Sequence, residues 1–244
     1  MLTLFRGLLL VVLLIFVFFA TMVVCLLRPF HRDNVHQVAS WFGRVGPLIG
    51  LKVVKRGQEN LLVDQPVVYV GNHQNNFDLF TQATMVPKGT VSIGKKSLKW
   101  IPFFGLIYWL TGNILIDRNN RSKARGTIEN TTKNIRDKGL SVWVFPEGTR
   151  SRGRGLLPFK SGAFHTAINA GVPVVPVLAS CQQHVDLGKR NNGVVIIEAL
   201  EPISTEGMGR EDVRELMQRV QQQMATRLEQ INEEARQLSV ASAV

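Results

Sequence analysis

The sequence contains little cysteine and little charge, and each shortage excludes a class of protein. Two cysteines in 244 residues, Cys25 and Cys181, cannot build a disulfide framework or a four-cysteine metal site. Charged residues make up only 19% of the chain, where about a quarter is usual. Hydrophobic residues make up 45%, so the chain can bury a sizeable core and is not intrinsically disordered.

Several catalytic signatures are also missing from the sequence. It has no G-x-S-x-G nucleophile elbow, no P-loop and no dinucleotide fingerprint. Four of its histidines lack metal-ligand spacing to any cysteine or acidic residue: His31, His36, His165 and His184. We therefore expect neither a metal site nor a bound cofactor.

The charge that is present is strongly basic and unevenly spread. Lysine and arginine number 29 against 18 acidic residues, for a net charge of +11. Residues 88–160 hold fifteen bases and four acids, so this stretch accounts for the whole excess. A basic excess indicates phosphate-bearing partners: nucleic acid, anionic lipid or phosphorylated metabolites. We expect the anion site within this stretch.

The N-terminal region is dominated by an uncharged apolar run at residues 8–27. As a helix it would extend roughly 30 Å, the thickness of the hydrocarbon core of a bilayer. The run is too long for the core of a cleaved signal peptide, and no small-x-small cleavage site follows closely. It predicts membrane attachment, and whether it spans the bilayer or enters and returns stays open.

A second helix is predicted after Asp33 by apolar residues spaced three and four apart. It either faces the protein core or lies at the membrane interface. Its stripe comprises Val35, Val38, Phe42, Val45 and Ile49.

From about residue 51 the chain alternates strand-like and helix-like segments. Predicted strands are 51–55, 67–70, 90–93, 113–116, 141–145, 174–178 and 194–199. Predicted helices are 78–85, 97–110, 121–136, 161–170 and 211–238. Apolar runs such as VVYV are typical of strands buried on both faces of an α/β sheet. We predict one α/β domain over residues 51–240, a mixed and mostly parallel sheet flanked by helices, preceded by a membrane-anchoring helical segment over residues 1–50. Pro176 cannot donate to a ladder, which predicts an edge strand or a bulge there.

One candidate site is the segment NHQNNFD, which follows a predicted strand and contains His73 and Asp78. Five residues of separation pair these side chains neither on a helix nor on a strand. A turn running into a helix can return the carboxylate to the imidazole, fixing one tautomer and making His73 a general base. A purely structural hydrogen bond is the alternative for such a pair.

Three further segments follow predicted strands and carry basic or apolar candidates. In FPEGTRS, Arg150 offers a planar fork suited to phosphate oxygens, although a basic surface turn would look alike. Arg118 is either an anion ligand or the partner of Asp117, and Lys95 carries the same ambiguity. The apolar stretch 100–110 is either core, the commoner case, or the lining of an acyl-chain slot.

Four segments in fixed order, NHQNNFD, GNILIDR, FPEGTRS and VPVVPV, resemble the glycerolipid acyltransferase family, whose first block is H-x4-D. The resemblance covers almost the whole chain. It implies transfer of an acyl group from an acyl-carrier protein or coenzyme A thioester to the sn-2 hydroxyl of lysophosphatidate, giving phosphatidate. It also implies that His73 is the base and Asp78 its orienting partner. The acceptor-phosphate site would comprise Lys95, Arg118, Glu147, Gly148, Thr149 and Arg150.

The resemblance extends to location and partners. It implies a bacterial inner-membrane enzyme whose site faces the cytoplasm, bound to the lipid bilayer and not to nucleic acid. A thioester is already an activated acyl donor, so the absence of a recognisable nucleophile fits direct transfer to an alcohol. Two alternatives remain at this point: the same chemistry on glycerol 3-phosphate or another lysophospholipid, and a non-enzymatic membrane protein that binds anionic ligands.

Overall fold

A computed structural model describes residues 1–117 and 120–241. All seven predicted strands are present. They are β1 (Lys52–Arg56), β2 (Val68–Gly71), β3 (Thr90–Lys95), β4 (Ile114–Ile116), β5 (Ser141–Val144), β6 (Val174–Ala179) and β7 (Val194–Ala199). The α-helices of the described residues are α1 (Leu2–Leu27), α2 (Asn34–Phe42), α3 (Asp78–Thr81), α4 (Phe104–Leu110), α5 (Arg121–Lys138), α6 (Gly162–Ala170) and α7 (Val213–Ala241).

The strands form one sheet in the order β1-β7-β6-β2-β5-β3-β4. Every neighbouring pair is parallel except β6 and β7, which are antiparallel. The predicted mixed, mostly parallel α/β sheet is therefore confirmed. Because β2, β5, β3 and β4 run in the same direction, their carboxyl ends meet at one edge of the sheet. In open α/β sheets ligands bind at that edge, and the candidate segments follow these strands.

Helices cover both faces of the sheet, as the continuous apolar strands require. Alternate strand residues point to opposite faces, so Val68 and Val70 pack on one side and Tyr69 on the other. On the first side the core is completed by α5, α6 and α7. On the second it is completed by α1, α2 and α3.

The second predicted helix, now α2, is a core helix. Val38, Phe42, Val45 and Ile49 of the predicted stripe are buried against the sheet, which decides between the two alternatives left by the sequence. The helix ends at Phe42, and a short 3-10 turn over Gly46–Ile49 carries the stripe onward.

The edge-strand prediction for Pro176 is wrong, because β6 lies between β7 and β2. The alternative, a bulge, agrees with the antiparallel pairing of β6, which changes register at Pro176. Val177 pairs with Ala199 after the proline, whereas Val174 bridges Ile203 before it. The antiparallel register before Pro176 therefore differs by one residue from the register after it. The missing N–H of the proline therefore falls where the ladder is interrupted.

The predicted helix over residues 97–110 is broken, and most of its largest side chains lie outside the core, although Ile107 is buried. A 3-10 turn occupies Lys96–Trp100, and α4 begins only at Phe104. Pro102 separates the two because it lacks an N–H and favours an extended residue before it; Ile101 has φ −75° and ψ 119°. Gly105 and Ile107 point inward, whereas Trp100, Phe103 and Trp109 are exposed.

Helix α1 is the one described helix that is long and apolar enough to cross a membrane, with a mean hydropathy of 3.2. Its large apolar side chains are mostly exposed: Leu4, Phe5, Leu8, Val11, Val12, Leu14, Ile15, Phe16, Phe19, Val23, Leu26 and Leu27. A narrow opposite stripe of Arg6, Val17, Thr21 and Cys25 is buried against the protein.

Candidate active site

His73 and Asp78 meet at the carboxyl end of β2. The strand ends at Gly71, a turn follows, and α3 begins at Asp78 itself. This strand-turn-helix geometry brings His73 Nδ1 to 2.7 Å from Asp78 Oδ2. The sheet edge thus holds an imidazole and a carboxylate in the relation that general-base chemistry requires.

The Asp78 carboxylate is surrounded by hydrogen-bond donors. Besides His73, Oδ2 accepts from the backbone N–H groups of Gln74 at 2.7 Å and Asn75 at 3.1 Å. Oδ1 accepts from the side-chain amides of Gln182 at 2.8 Å and Gln82 at 3.3 Å. The residue is 5% exposed. A buried carboxylate with only donors around it acts as an acceptor, so the network assigns the hydrogen of His73 to Nδ1 and leaves the lone pair on Nε2.

The imidazole is held from a second direction by Phe145. The two rings are stacked, with centroids 4.3 Å apart and an interplanar angle of 18°. The His73 side chain is still 21% exposed. The ring is therefore fixed in orientation by Asp78 and Phe145 and remains accessible to a reactant.

Glu147 braces the loops around His73. Its Oε1 accepts from the backbone N–H of His73 at 2.6 Å, and its Oε2 accepts from that of Leu157 at 2.9 Å. Burial raises the pKa of this carboxyl, while the two backbone hydrogen bonds and the nearby His73 oppose that rise. The backbone N–H of Ser151 also donates to the His73 carbonyl at 2.7 Å. Both carboxylate oxygens of Glu147 thus bind backbone amides, which makes it a support for the site.

The rest of the FPEGTRS segment borders an open cleft beside the pair. Gly148 has φ +70°, and a β-carbon there would lie 3.0 Å from the Lys160 side chain, so glycine suits this turn on both counts. Thr149 and Arg150 are exposed. A cleft of about 380 Å³ is lined by Asn75, Asn76, Arg150, Arg152, Gln182, Gln183 and Val185. Arginine and amide groups dominate this lining, which suits an anionic ligand.

Lys95 ends β3 and is exposed. Since β5 lies between β2 and β3, Lys95 is two strands from β2, roughly 10 Å at ordinary strand spacing. The adjacent Lys96 pairs with Asp117, Nζ to Oδ2 at 3.7 Å. Arg118 lies outside the described residues. Within the described residues, no group of three histidine, cysteine or acidic side chains is arranged to hold a metal ion.

Three glutamines of this site were not identified as site residues from the sequence, although Gln74 lies within NHQNNFD. Gln74 donates to the carbonyls of Ala179 and Ser180 and accepts from the backbone N–H of Gln182 at 2.9 Å. Gln82 donates to the Asn72 carbonyl at 2.6 Å. Gln182 lies 104 residues beyond Asp78, so only the fold joins them. Gln74 and Gln182 together tie the turn after β2 to the loop after β6, while Gln82 holds the turn itself.

Gln182→Met should slow the reaction by acting through Asp78. The change removes the donor to Asp78 Oδ1 and the acceptor for the Thr81 hydroxyl at 3.1 Å. Outer hydrogen-bond partners of metal-binding side chains are worth about 10- to 100-fold, and by analogy we expect kcat to fall about tenfold. Because Gln182 is 1% exposed although it borders the cleft, the acceptor KM should change little. Initial-rate kinetics measure kcat and KM separately, and Gln218→Met, at an exposed position of α7, is the control.

The positioning role of Gln182 has a second readout. In an Asp78→Asn background, Gln182→Met should add little, because residues that act as a unit are non-additive. Additive losses, or a lower melting temperature with unchanged kcat per folded molecule, would show that Gln182 only supports the fold.

Comparison with known proteins places this geometry in a family. The sequence profile of the Acyltransferase family matches residues 52–180. The 1-acyl-sn-glycerol-3-phosphate acyltransferase of Haemophilus influenzae is 50% identical over 203 residues, 83% of this chain and 85% of that protein. That of Escherichia coli is 45% identical over 245 residues, covering 100% of both chains. The crystal structure of the 1-acyl-sn-glycerophosphate acyltransferase of Thermotoga maritima matches with a TM-score of 0.73, 27% identity and 94% coverage of each chain.

The fold and site define an α/β enzyme with a histidine–aspartate pair at the carboxyl edge of its sheet. The profile match spans more than half of the chain, and the bacterial relatives match it over most of its length. The chain therefore belongs to the acyltransferase family, as the resemblance of its four segments predicted.

Proposed function

We propose that the protein transfers a fatty acyl group from a thioester to the sn-2 hydroxyl of 1-acyl-sn-glycerol 3-phosphate, forming phosphatidate for phospholipid biosynthesis. The observation that carries the proposal is the His73–Asp78 pair, 2.7 Å apart, beside a cleft that Arg150 lines. The proteins from Haemophilus influenzae and Escherichia coli that bear this activity in their names support the same substrate.

The proposed reaction is a direct transfer with His73 as general base. His73 Nε2 accepts the proton of the sn-2 hydroxyl while that oxygen attacks the thioester carbonyl carbon. The new C–O bond forms, the C–S bond breaks, and the imidazolium returns its proton to the departing thiolate. Asp78 stabilises the imidazolium and keeps Nε2 directed outward. The thioester supplies the activated acyl group, so no covalent enzyme intermediate is required.

The acceptor phosphate is proposed to bind along the basic part of the same edge. Arg150 is the central candidate because it is exposed and lines the cleft beside Asn75. The Thr149 hydroxyl, the turn at Gly148, and Lys95 and Arg118 complete the proposed site. Glu147 acts in this proposal as the brace described above, since its two oxygens already accept backbone N–H groups.

Residues 1–50 are proposed to anchor the catalytic domain, residues 51–240, to a membrane. Near its start α1 is tied to the protein by Arg6, which donates to the carbonyls of Leu187 and Arg190 at 3.1 Å each, and to that of Lys189. Near its end Cys25 lies 3.7 Å from the amide nitrogen of Asn34. A helix attached along its length cannot stand upright in a bilayer without submerging the domain. We therefore propose that α1 lies within one leaflet, its exposed apolar face in lipid.

The proposed setting is the inner membrane of a bacterium, with the site on the cytoplasmic side. The lipid acceptor then reaches the site without leaving the bilayer. The basic surplus of residues 88–160 suits both an acidic acyl-carrier protein and the phosphates of coenzyme A as donor.

An acceptor panel tests this function. Purified protein is given acyl-coenzyme A, and free thiol is followed with 1-acyl-sn-glycerol 3-phosphate, glycerol 3-phosphate and 1-acyl-glycerophosphoethanolamine. We expect the highest kcat/KM with the first. Arg150→Ala should raise the KM for that acceptor about tenfold, the typical value of a charge-assisted hydrogen bond. A preference for another acceptor would replace the assigned substrate, and unchanged kinetics in Arg150→Ala would remove Arg150 from the phosphate site.

A further inference from the structure

The segment Lys96–Leu110, which we call the aromatic segment, exposes large apolar side chains. Trp100 is 76% exposed, Phe103 63% and Trp109 52%. Ile101 and Leu106 are exposed as well. Five such side chains on fifteen consecutive residues form a patch, and apolar patches of this kind mark interaction sites.

The backbone of the aromatic segment turns these side chains outward. Phe103 adopts φ +62°, a conformation unusual for a residue with a bulky side chain. Gly105 lies against the Lys99 carbonyl, where a β-carbon would come within 2.5 Å. The close approach at Gly105 keeps the 3-10 turn and α4 together, so the patch is a folded surface.

The aromatic segment is continuous with the exposed face of α1. The Phe103 ring packs edge-on against Phe18 of α1, with centroids 5.0 Å apart. The Trp109 ring packs in the same way against Phe30, just beyond α1, at 5.3 Å. The two apolar surfaces therefore share a border at Phe103 and Trp109, and an occupant that covers the exposed face of α1 also reaches these two side chains.

Basic side chains flank the aromatic segment. Lys95, Lys96 and Lys99 are exposed at its start, and Lys99 Nζ lies 4.4 Å from the centre of the Trp100 ring. Tryptophan beside lysine, next to a purely apolar surface, is the pattern of groups that lie at the boundary between lipid headgroups and acyl chains. Lysines at that level attract anionic headgroups.

We propose that the aromatic segment is a second lipid-contacting element, in which Trp100 and Trp109 insert at the headgroup boundary of the same leaflet as α1. The proposal deepens the membrane attachment proposed above and rests on α1 contacting lipid. Because the segment directly follows the carboxyl end of β3, it places lipid beside the edge of the sheet that holds His73. Two contacts, α1 and the aromatic segment, would then fix how the domain is tilted on the bilayer.

Tryptophan quenching tests the proposal. The chain has four tryptophans, and Trp143 is buried in the sheet at 3% exposure, so every variant keeps it. A Trp41→Phe, Trp100→Phe, Trp109→Phe background retains Trp143 alone; two further variants restore either Trp100 or Trp109. Each is reconstituted in phosphatidylcholine vesicles containing phosphatidylglycerol, with or without bromine on the acyl chains.

We expect brominated lipid roughly to halve the emission contributed by Trp100 and by Trp109, and to leave that of Trp143 almost unchanged. Iodide in the water should quench the restored tryptophans weakly in vesicles. Strong iodide quenching without bromolipid quenching would overturn the proposal. A second result would also overturn the proposal: bromolipid leaves Trp100 and Trp109 unaffected, but acyl-coenzyme A added in detergent changes their emission. The aromatic segment would then line an acyl-chain slot.

The exposed lysines of the aromatic segment provide a second test, because their charge should strengthen its contact with anionic lipid. Lys96→Gln with Lys99→Gln should reduce the difference in bromolipid quenching between vesicles with and without phosphatidylglycerol, whereas Lys133→Gln with Lys138→Gln on α5 should not. Acyl transfer is assayed in the same vesicles. If the unsubstituted protein is quenched by bromolipid but transfers no acyl group to 1-acyl-sn-glycerol 3-phosphate, the assigned reaction is contradicted. If it transfers the acyl group but is not quenched, only the lipid contact is contradicted.

Discussion

Replacement of His73 by alanine is expected to lower kcat for acyl transfer about a thousandfold, the middle of the range for a general base. The change removes the proposed proton acceptor, Nε2. It leaves most of the Asp78 network intact, since Oδ2 keeps the N–H donors of Gln74 and Asn75. We therefore expect the variant to fold. The measurement is thiol release from acyl-coenzyme A with 1-acyl-sn-glycerol 3-phosphate, alongside circular dichroism.

A matched control and a rescue separate the lost base from general damage. His165→Ala on α6 removes an imidazole close to the charges of Arg125 and Arg210 and should leave kcat unchanged. Added imidazole should restore part of the activity of His73→Ala, because truncation opens space against the Phe145 ring. Full activity of His73→Ala without imidazole would remove His73 from the mechanism.

Replacement of Asp78 by asparagine is expected to reduce the rate about as much, by 10³- to 10⁴-fold, although the imidazole is still present. An amide NH2 would meet the donors that surround the carboxylate: His73, Gln74, Asn75, Gln82 and Gln182. With the NH2 toward His73, the ring must accept at Nδ1 and carry its hydrogen on Nε2. It can then no longer take a proton from the acceptor.

The same substitution should also destabilise the protein. Whichever way the amide turns, at least one buried donor loses its acceptor, at a cost of about 1–3 kcal/mol. Thermal melts measure the loss of stability. The control is Asp137→Asn on the exposed side of α5, for which we expect no change in rate or in melting temperature. A lower melting temperature with a wild-type rate per folded molecule would show that Asp78 supports the fold and does not orient the base.

Local patterns in the sequence predicted much of the fold. Seven short strand-like runs predicted the seven strands, and several of them, such as VVYV, are apolar at every position because they are buried on both faces of the sheet. Pro176 was harder to place. The sequence shows that Pro176 lacks an N–H, but only its neighbours in the sheet decide where that missing donor falls. Here it falls where the pairing of β6 with β7 and the chain beyond it changes register by one residue.

The aromatic segment shows the opposite limit. Its composition is that of a core helix, so the commoner interpretation was burial. Burial depends on what packs against a segment, and here Pro102 breaks the helix while the neighbour, α1, is itself apolar on its exposed side. A sequence window cannot tell lipid-facing apolar surface from core, since both exclude charge.

The sequence by itself determined the chemistry available to this protein: a histidine and an aspartate five residues apart, an arginine-bearing turn after another strand, and an uncharged run long enough for a bilayer. Those properties reside in covalent structure and local spacing. Only the tertiary structure decided that Gln182 binds Asp78, that Glu147 braces the backbone of His73, and that α1 lies along the domain. Contacts between residues 70 or more positions apart depend on which strands become neighbours, and that is settled by packing of the whole sheet.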